Sequence, residues 1–184
     1  MNFGNIKKFD IANGEGVRTS LFVSGCKNHC VNCFNKETWN FDYGNPFTEE
    51  TLKELLDSID HPFIKGLTIL GGEPFEIENQ EEVCHIVLEF KKRFPDKTLW
   101  MYSGYLFDKD LLPEDGKRHT KYTYDILQNV DVLVDGRFVE ALKNLALKFR
   151  GSENQRIILV KESIKENKVI LSPLNEFKNF SIEK

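Results

Sequence analysis

Short, almost wholly apolar segments alternate with amphipathic ones along this chain, and that alternation constrains the fold more than any other feature. The segments with the β-branched and aromatic content of strands are residues 18–24, 66–70, 98–102 and 130–134. Between them, residues 49–59 and 80–94 place apolar side chains at helical spacing, and a shorter helix is expected around residues 124–128. Strands that are apolar on both faces and alternate with helices are typical of a parallel sheet with helical crossovers.

Local signals define the first of these helices in detail. Thr48 can cap its N-terminus, and Glu49 and Glu50 place negative charge in its first turn. Leu52, Leu55, Leu56 and Ile59 follow at helical spacing, and His61 and Pro62 end the pattern.

The length of the chain limits how far such a sheet can extend. With 184 residues it is too short for a closed eight-unit barrel, which needs about 250. We therefore predict a single α/β domain over residues 1–184, built as a partial barrel or an open, mostly parallel curved sheet. Residues 156–160 and 168–171 are predicted to close it as a C-terminal β-hairpin around Glu166 and Asn167.

Charge and hydrophobicity exclude two classes of partner. Twenty-five basic and twenty-nine acidic side chains leave a formal charge of −4, which gives no attraction for nucleic acid. No apolar run approaches the roughly 20 residues of a membrane helix, and the first ten residues lack the apolar core of a signal peptide. We therefore expect a cytoplasmic protein that binds neither nucleic acid nor membranes.

Three of the four cysteines fall within eight residues, directly after the first predicted strand. Cytoplasmic thiols stay reduced, so Cys26, Cys30 and Cys33, spaced C-x3-C-x2-C, indicate a metal or redox centre. Thiolates bind both iron-sulfur clusters and zinc. A structural zinc needs a fourth protein ligand, for which His29 is the obvious candidate, whereas a thioredoxin-like motif leaves Cys26 unexplained. Cys84 lies on an apolar helical stripe and is predicted to be a buried, inert side chain.

The remaining motifs also follow predicted strands. They are Gly-Gly-Glu-Pro at residues 71–74, Ser-Gly at 103–104 and Asp-Gly-Arg at 135–137. Ligands of parallel α/β folds bind at the carboxyl ends of the strands. These motifs and the cysteine loop are therefore predicted to meet at one edge of the sheet. The loop at residues 112–119, which is basic at its end, is a candidate docking surface near that edge.

The cysteine segment resembles a known cluster loop. Residues 25–35, Gly-Cys-Lys-Asn-His-Cys-Val-Asn-Cys-Phe-Asn, are similar to the loop of radical S-adenosylmethionine enzymes. Further segments resemble the activating proteins of the anaerobic (class III) ribonucleotide reductase; they are residues 13–19, 21–26, 135–138, 150–152 and 154–156. The resemblance extends from about residue 3 to the predicted hairpin.

The resemblance implies two cofactors: a 4Fe-4S cluster on Cys26, Cys30 and Cys33, and S-adenosylmethionine on the fourth iron. It places Asn32 to Phe34 beside the adenine and residues 135–138 near the methionine and ribose, with the Arg137 guanidinium as a partner for the carboxylate. Many such enzymes have an aromatic residue at the position of Asn32. The cofactor-binding residues implied are Asn32, Cys33, Phe34, Gly71, Gly72, Glu73, Pro74, Ser103, Asp135, Gly136, Arg137 and Phe138.

The resemblance also implies an activity. The reduced cluster would cleave S-adenosylmethionine to methionine and a 5'-deoxyadenosyl radical, which would convert a glycine of the large reductase subunit into a glycyl radical. The implied partners are that subunit, whose glycine loop would cover the site, and an electron donor of the flavodoxin or ferredoxin type. No side chain is assigned a catalytic role, because the cofactors carry the chemistry.

The cysteine loop is also compatible with other classes of protein. An activase of another glycyl radical enzyme, such as the pyruvate formate-lyase type, or a 7-carboxy-7-deazaguanine synthase would share the cysteine loop and differ in the Asp-Gly-Arg and Arg-Gly-Ser segments. A non-catalytic zinc or electron-transfer module would use the thiols structurally. Anaerobic reconstitution separates these classes, since only the enzymes would combine a brown cluster with cleavage of S-adenosylmethionine.

Overall fold

A computed structural model describes residues 1–176, which form one seven-stranded sheet that includes the four predicted central strands. The strands are β1 (Asn2–Asp10), β2 (Val17–Val23), β3 (Asn45–Pro46), β4 (Ile64–Gly71), β5 (Thr98–Ser103), β6 (Val132–Asp135) and β7 (Arg156–Leu159). Their order across the sheet is β3-β1-β2-β4-β5-β6-β7. The four central strands, β2, β4, β5 and β6, are parallel, while β1, β3 and β7 pair antiparallel at the two sides.

The helices lie between these strands in the chain. They are α1 (Glu49–Ile59), α2 (Ile77–Arg93), α3 (Thr123–Asn129) and α4 (Val160–Glu166). Single helical turns occur at Lys36–Trp39, Phe107–Leu111, Glu140–Leu142 and Pro173–Asn175. The predicted cap of α1 is confirmed, because the Thr48 hydroxyl accepts a hydrogen bond from the Thr51 amide at 3.3 Å. The α/β class and an open sheet with parallel central strands are thereby confirmed.

The main core lies between one face of the sheet and the helices. Its fully buried members come from both layers and include Leu21, Leu55, Leu67, Ile69, Ile86, Val87, Leu99 and Leu133. Burial of such side chains stabilises the fold by roughly 1.5–3 kcal/mol each. Because the helices cover one face of the sheet, the side chains on its opposite face make separate contacts.

The opposite face of the sheet carries Arg18 and a small apolar cluster around Trp100. Arg18 is 1% exposed, and its guanidinium donates to the carbonyl oxygens of Leu67 and Thr98, each at 2.8 Å. It also donates to the Thr68 hydroxyl at 2.8 Å. Arg18, which belongs to β2, therefore bridges to β4 and β5 as well.

The C-terminal part differs from the predicted hairpin. Residues 160–166 form helix α4, and Asn167, at φ 50°, ends it. The chain then returns beside β7, where the Leu159 amide donates to the Ile170 carbonyl at 2.9 Å. The two segments of the predicted hairpin meet at an antiparallel bridge between Ile158 and Leu171, but helix α4 and its C-cap Asn167 connect them in place of a hairpin turn, so the hairpin is not confirmed. The Asn175 side chain accepts from the Ile157 amide at 3.0 Å and donates to the Ile157 carbonyl at 2.7 Å, on the outer edge of β7.

Strand β1 was not among the predicted elements. Its sequence, NFGNIKKFD, is largely polar, and Asp10 is the one buried residue among its nine, so it lacks the apolar content of the central strands. Among residues 1–176 there is no helix with the length and apolarity that crossing a membrane requires.

Candidate functional site

The cysteine loop leaves the end of β2 and is fixed at its base by backbone hydrogen bonds. The Gly25 amide donates to the Thr38 carbonyl at 2.8 Å, and the Cys26 amide donates to the Trp39 carbonyl at 3.2 Å. Gly25 has a φ of +94°, and the ring of Phe41 occupies the space that a Cβ would need. Glycine is therefore required where the strand turns into the loop.

A cavity of about 470 Å³ opens at the carboxyl ends of the parallel strands. Its size is in the range of small-molecule sites. The predicted site residues that line it are Cys26, Cys30, Asn32, Cys33, Phe34, Gly71, Gly72, Glu73, Ser103, Gly136 and Phe138. The structure thus brings together motifs that are more than a hundred residues apart in the chain.

Three residues predicted to bind cofactor do not line this cavity. Pro74 is buried beside the turn. Asp135 is fully buried, and its carboxylate accepts from the Arg156 Nε at 2.8 Å and from the Phe107 amide at 2.8 Å. Arg137 is exposed and donates to the Asn28 carbonyl. Its guanidinium thereby connects the end of β6 with the cysteine loop.

The three loop cysteines share the cavity wall as free thiols. Within residues 1–176, however, no three side chains of His, Cys, Asp or Glu are gathered into a preformed metal site. The donor chemistry still fits iron, since thiolates are the usual ligands of iron-sulfur clusters. Burial, with the nearby negative charge of Glu73, raises the pKa of the Cys26 thiol to about 12, so binding a metal there must displace a proton.

His29, the candidate fourth ligand for zinc, is directed elsewhere. Its ring packs against Trp39 with 4.7 Å between the ring centroids, and it is not among the residues that line the cavity. The arrangement therefore favours a centre with three protein ligands over a closed zinc site with four.

The glycine turn after β4 contacts the cysteine loop through its backbone. The Gly72 amide donates to the Val23 carbonyl at 2.7 Å, and the Glu73 amide donates to the Gly25 carbonyl at 2.9 Å. A Cβ at Gly72 would lie 2.7 Å from the Gly25 oxygen and 2.9 Å from the Thr38 oxygen. Only glycine allows this close approach between the two loops.

The Glu73 carboxylate connects the glycine turn to the end of β5. It accepts from the Ser103 hydroxyl at 2.8 Å, the Gly104 amide at 2.7 Å and the Phe75 amide at 3.0 Å. Complete burial raises the pKa of Glu73 to about 7, although these hydrogen bonds act in the opposite direction. The side chain therefore holds the loops together, which leaves the backbone of the turn to face a ligand.

Several cavity residues were missed by the sequence reasoning. Tyr102, Trp39 and Arg150 each hold a buried side-chain atom, Oη, Nε1 and Nε respectively, with no hydrogen-bond partner within the described 176 residues. Buried polar atoms are normally paired, so these atoms suit a polar ligand. Burial raises the pKa of Tyr102, which therefore keeps its proton as a donor. The other lining residues missed include Asn13, Asn28, Lys143, Asn144, Leu145, Leu147, Gly151 and Gln155.

Signals for these missed residues were weak. Tyr102 directly precedes Ser103 at the end of a predicted strand, and Arg150 lies in the Arg-Gly-Ser segment that resembles the activating proteins. Nothing in the local sequence of Trp39 marks it as a cavity residue.

Comparison with known proteins identifies the family. A family model described as a 4Fe-4S single cluster domain matches residues 12–158. Over 157 residues the chain is 40% identical to the anaerobic ribonucleoside-triphosphate reductase-activating protein of Enterobacteria phage T4, covering 85% of this chain and 93% of that protein. The chain belongs to this family of activating proteins.

Bacterial members of the activating-protein family are similarly related. The Escherichia coli K12 protein is 34% identical over 157 residues, covering 84% of this chain and 96% of its own. The Pasteurella multocida protein is 38% identical over 159 residues, covering 85% and 96% respectively. The resemblance to the activating proteins of the anaerobic ribonucleotide reductase is therefore confirmed, and the family's 4Fe-4S domain argues against the zinc alternative.

Proposed function

We propose that this protein is an iron-sulfur activase that reductively cleaves S-adenosylmethionine and generates a glycyl radical on the large subunit of the anaerobic ribonucleotide reductase. One observation carries the proposal: three cysteines of a C-x3-C-x2-C loop line a cavity at the carboxyl ends of the parallel strands, in a chain that belongs to the activating-protein family. The open sheet suits a partial barrel of the radical S-adenosylmethionine type, formed by a single domain over residues 1–184.

Cys26, Cys30 and Cys33 would hold a 4Fe-4S cluster, and their number leaves one iron for S-adenosylmethionine. When bound, the cluster would supply one electron to the sulfonium. The C5'–S bond would then break and release methionine and a 5'-deoxyadenosyl radical. The protein's own residues bind and orient the reactants. Apolar side chains such as Leu70, Val134 and Leu147 line part of the cavity and would limit the water around the reactants once the site is covered.

The polar groups of S-adenosylmethionine find complementary partners around this cavity. The backbone of Gly71 and Gly72 would offer carbonyl oxygens to the ammonium group, and the Ser103 hydroxyl lies beside this turn, where it donates to the Glu73 carboxylate. Asn32 and Phe34 would flank the adenine from the cysteine loop.

The end of β6 supplies the remaining contacts. Gly136 and Phe138 line the cavity there, and Arg137 would bind the carboxylate by turning its guanidinium from the Asn28 carbonyl. Asp135 would not contact the cofactor itself. Its ion pair with Arg156 fixes the end of β6, which positions the residues that follow. Tyr102 contributes a hydroxyl that has no hydrogen-bond partner among residues 1–176.

We further propose a cytoplasmic location and an electron donor of the flavodoxin or ferredoxin type. Reduction of the cluster needs a low-potential donor, and both donor classes are soluble proteins that transfer one electron at a time.

The decisive experiment mixes reconstituted protein, S-adenosylmethionine, a reductant and the large reductase subunit without oxygen. We expect the doublet of a glycyl radical by electron paramagnetic resonance, together with methionine and 5'-deoxyadenosine. Cleavage without the doublet would make the reductase the wrong substrate, and a colourless protein that binds zinc would contradict the whole proposal.

A further inference from the structure

Glu76 stands directly before helix α2, where a polar side chain commonly caps the first turn, but it makes no capping hydrogen bond there. Its side chain is fully buried and reaches the cysteine loop instead. The Glu76 Oε1 accepts from the Lys27 amide at 2.8 Å and from the Tyr105 hydroxyl at 2.9 Å. Glu76 therefore holds the backbone of the residue that directly follows Cys26.

The negative charge of Glu76 is only partly compensated. Its Oε2 has no hydrogen-bond partner among the described residues. The Arg118 Nε lies 3.4 Å from this oxygen but does not form a hydrogen bond with it. Lys27, although close in the chain, pairs its ammonium group with the half-exposed Glu78. A buried charge without close pairing acts strongly on its surroundings, because the protein interior screens charge less than water does.

Arg118 is fixed beside Glu76 by other contacts. It belongs to the loop at residues 112–119, and its carbonyl accepts from the Gln80 Nε2 at 2.7 Å. Its guanidinium lies over the Tyr105 ring, 4.6 Å from the centroid. The two oxygens of Glu76 thus face different partners, the cysteine loop on one side and this cation on the other.

The position of Glu76 gives its charge a direct effect on the predicted cluster. The Lys27 amide nitrogen is bonded to the Cys26 carbonyl carbon, so the carboxylate lies close to the backbone of a predicted cluster ligand. A negative charge there opposes the addition of an electron to the cluster, and the reduction potential of iron-sulfur clusters depends on such local charge. Cleavage of a sulfonium needs a strongly reducing cluster, which a nearby carboxylate favours.

We propose that Glu76 is a positioning residue that holds the cysteine loop at Lys27 and, together with Arg118, sets the reduction potential of the cluster. The carboxylate lowers the potential and the guanidinium raises it. This inference rests on the proposed function, of which it uses only the cluster on the three cysteines.

Potentiometric titration of the reconstituted cluster, followed by electron paramagnetic resonance, tests the effect of charge. Wild type is compared with Glu76→Gln and Arg118→Gln. Glutamine at position 76 keeps an acceptor for the Lys27 amide and removes only the charge. Glu89→Gln is the matched control, because it removes the same charge at a surface ion pair with Lys92, about 18 Å further along α2.

We expect Glu76→Gln to increase the ratio of reduced to oxidised cluster about tenfold at a fixed potential, which is a shift of about 59 mV for one electron. Arg118→Gln should decrease that ratio, and Glu89→Gln should titrate as the wild type does. An unchanged potential in Glu76→Gln, or shifts of the same sign in Glu76→Gln and Arg118→Gln, would overturn the proposal. If Glu76→Gln retains too little iron to titrate, Arg118→Gln decides, and its potential must fall.

Hydrogen exchange at the Lys27 amide, measured by nuclear magnetic resonance on the protein without cluster, tests the positioning role. Exchange should be faster in Glu76→Ala, which lacks the acceptor, than in the wild type and Glu76→Gln. Equal exchange in all three proteins would contradict that role. Neither measurement uses S-adenosylmethionine or the reductase. A failure of the proposed function would therefore appear separately, as a wild type that forms no glycyl radical.

Discussion

Among single residues, the four cysteines differ in what surrounds them. Cys26, Cys30 and Cys33 face a shared cavity, whereas Cys84 is buried in α2 among core side chains such as Val83 and Val87. The thiol group is therefore accessible to a metal at three positions, whereas at the fourth it packs as a small apolar side chain. Sequence spacing alone was enough to predict this difference in surroundings.

Replacing Cys26 by Ala should abolish both the brown colour and the cleavage of S-adenosylmethionine, because a cluster with two protein ligands is not retained. Iron and acid-labile sulfide content, measured after anaerobic reconstitution, checks this. Cys84→Ala is the matched control and should keep iron, sulfide and cleavage at wild-type levels. Retained cleavage in Cys26→Ala would contradict its assignment as a ligand.

Asp10 gives a pH dependence of stability that does not involve the site. Burial alone would raise its pKa, but hydrogen bonds from Lys7, Ser20, Asn13 and the Ala12 amide outweigh that effect and lower it from 3.8 to about 2. The stabilisation is complete above pH 3.8 and is lost as the pH falls through 2. The shift corresponds to about 2 kcal/mol of unfolding free energy.

Urea unfolding between pH 5 and 2 should therefore show a steeper loss for the wild type than for Asp10→Asn, which lacks the titrating group. Asp96→Asn, at an exposed position, should follow the wild type. Parallel curves for wild type and Asp10→Asn would show that the carboxylate is not held as described.

Among the elements, those with local signals were predicted well. Helix α1 begins at its predicted cap and buries the predicted stripe, because capping and helical periodicity are properties of neighbouring residues. Strand β1 is stabilised by pairing with β2 and β3. Its polar sequence does not indicate a strand, because that pairing depends on residues distant in the chain. Residues Glu166 and Asn167 were interpreted as a hairpin turn, but a left-handed Asn ends a helix as readily as it forms a turn.

Thr48→Ala should lower the free energy of unfolding by about 1 kcal/mol, because the first turn of α1 loses an acceptor for the Thr51 amide. Denaturant unfolding measures the change. Thr48→Ser keeps the acceptor and should restore most of the stability, and neither variant should alter cleavage of S-adenosylmethionine. Equal stability of all three proteins would show that the cap contributes nothing.

For the whole molecule, the convergence of the motifs followed from the predicted parallel strands, since their carboxyl ends share an edge. The part of the cavity wall formed by Lys143, Leu145 and Arg150 could not be derived in this way. These residues lie in a long connection with one helical turn and no repeating pattern. Their position depends on tertiary contacts such as the hydrogen bond from Arg150 to the Asn175 carbonyl at 2.9 Å.

Arg18 connects three central strands, β2, β4 and β5, on the face away from the helices, so its replacement should destabilise the entire fold. Burial lowers its pKa to about 10, and its planar group satisfies acceptors on β4 and β5 together. Lysine cannot reach them all, so Arg18→Lys should lower the unfolding free energy by about 3 kcal/mol. Arg93→Lys, at a half-exposed surface ion pair, should have little effect in the same urea titration.

The side chain of Asn175 has a consequence for the behaviour of the protein at high concentration. A bare outer strand offers free amides and carbonyls to neighbouring molecules, which is a common origin of aggregation. Here the side-chain amide of Asn175 forms hydrogen bonds with both the amide and the carbonyl of Ile157, as one residue of an additional strand would. That position of β7 is therefore closed to strand addition by a neighbouring molecule.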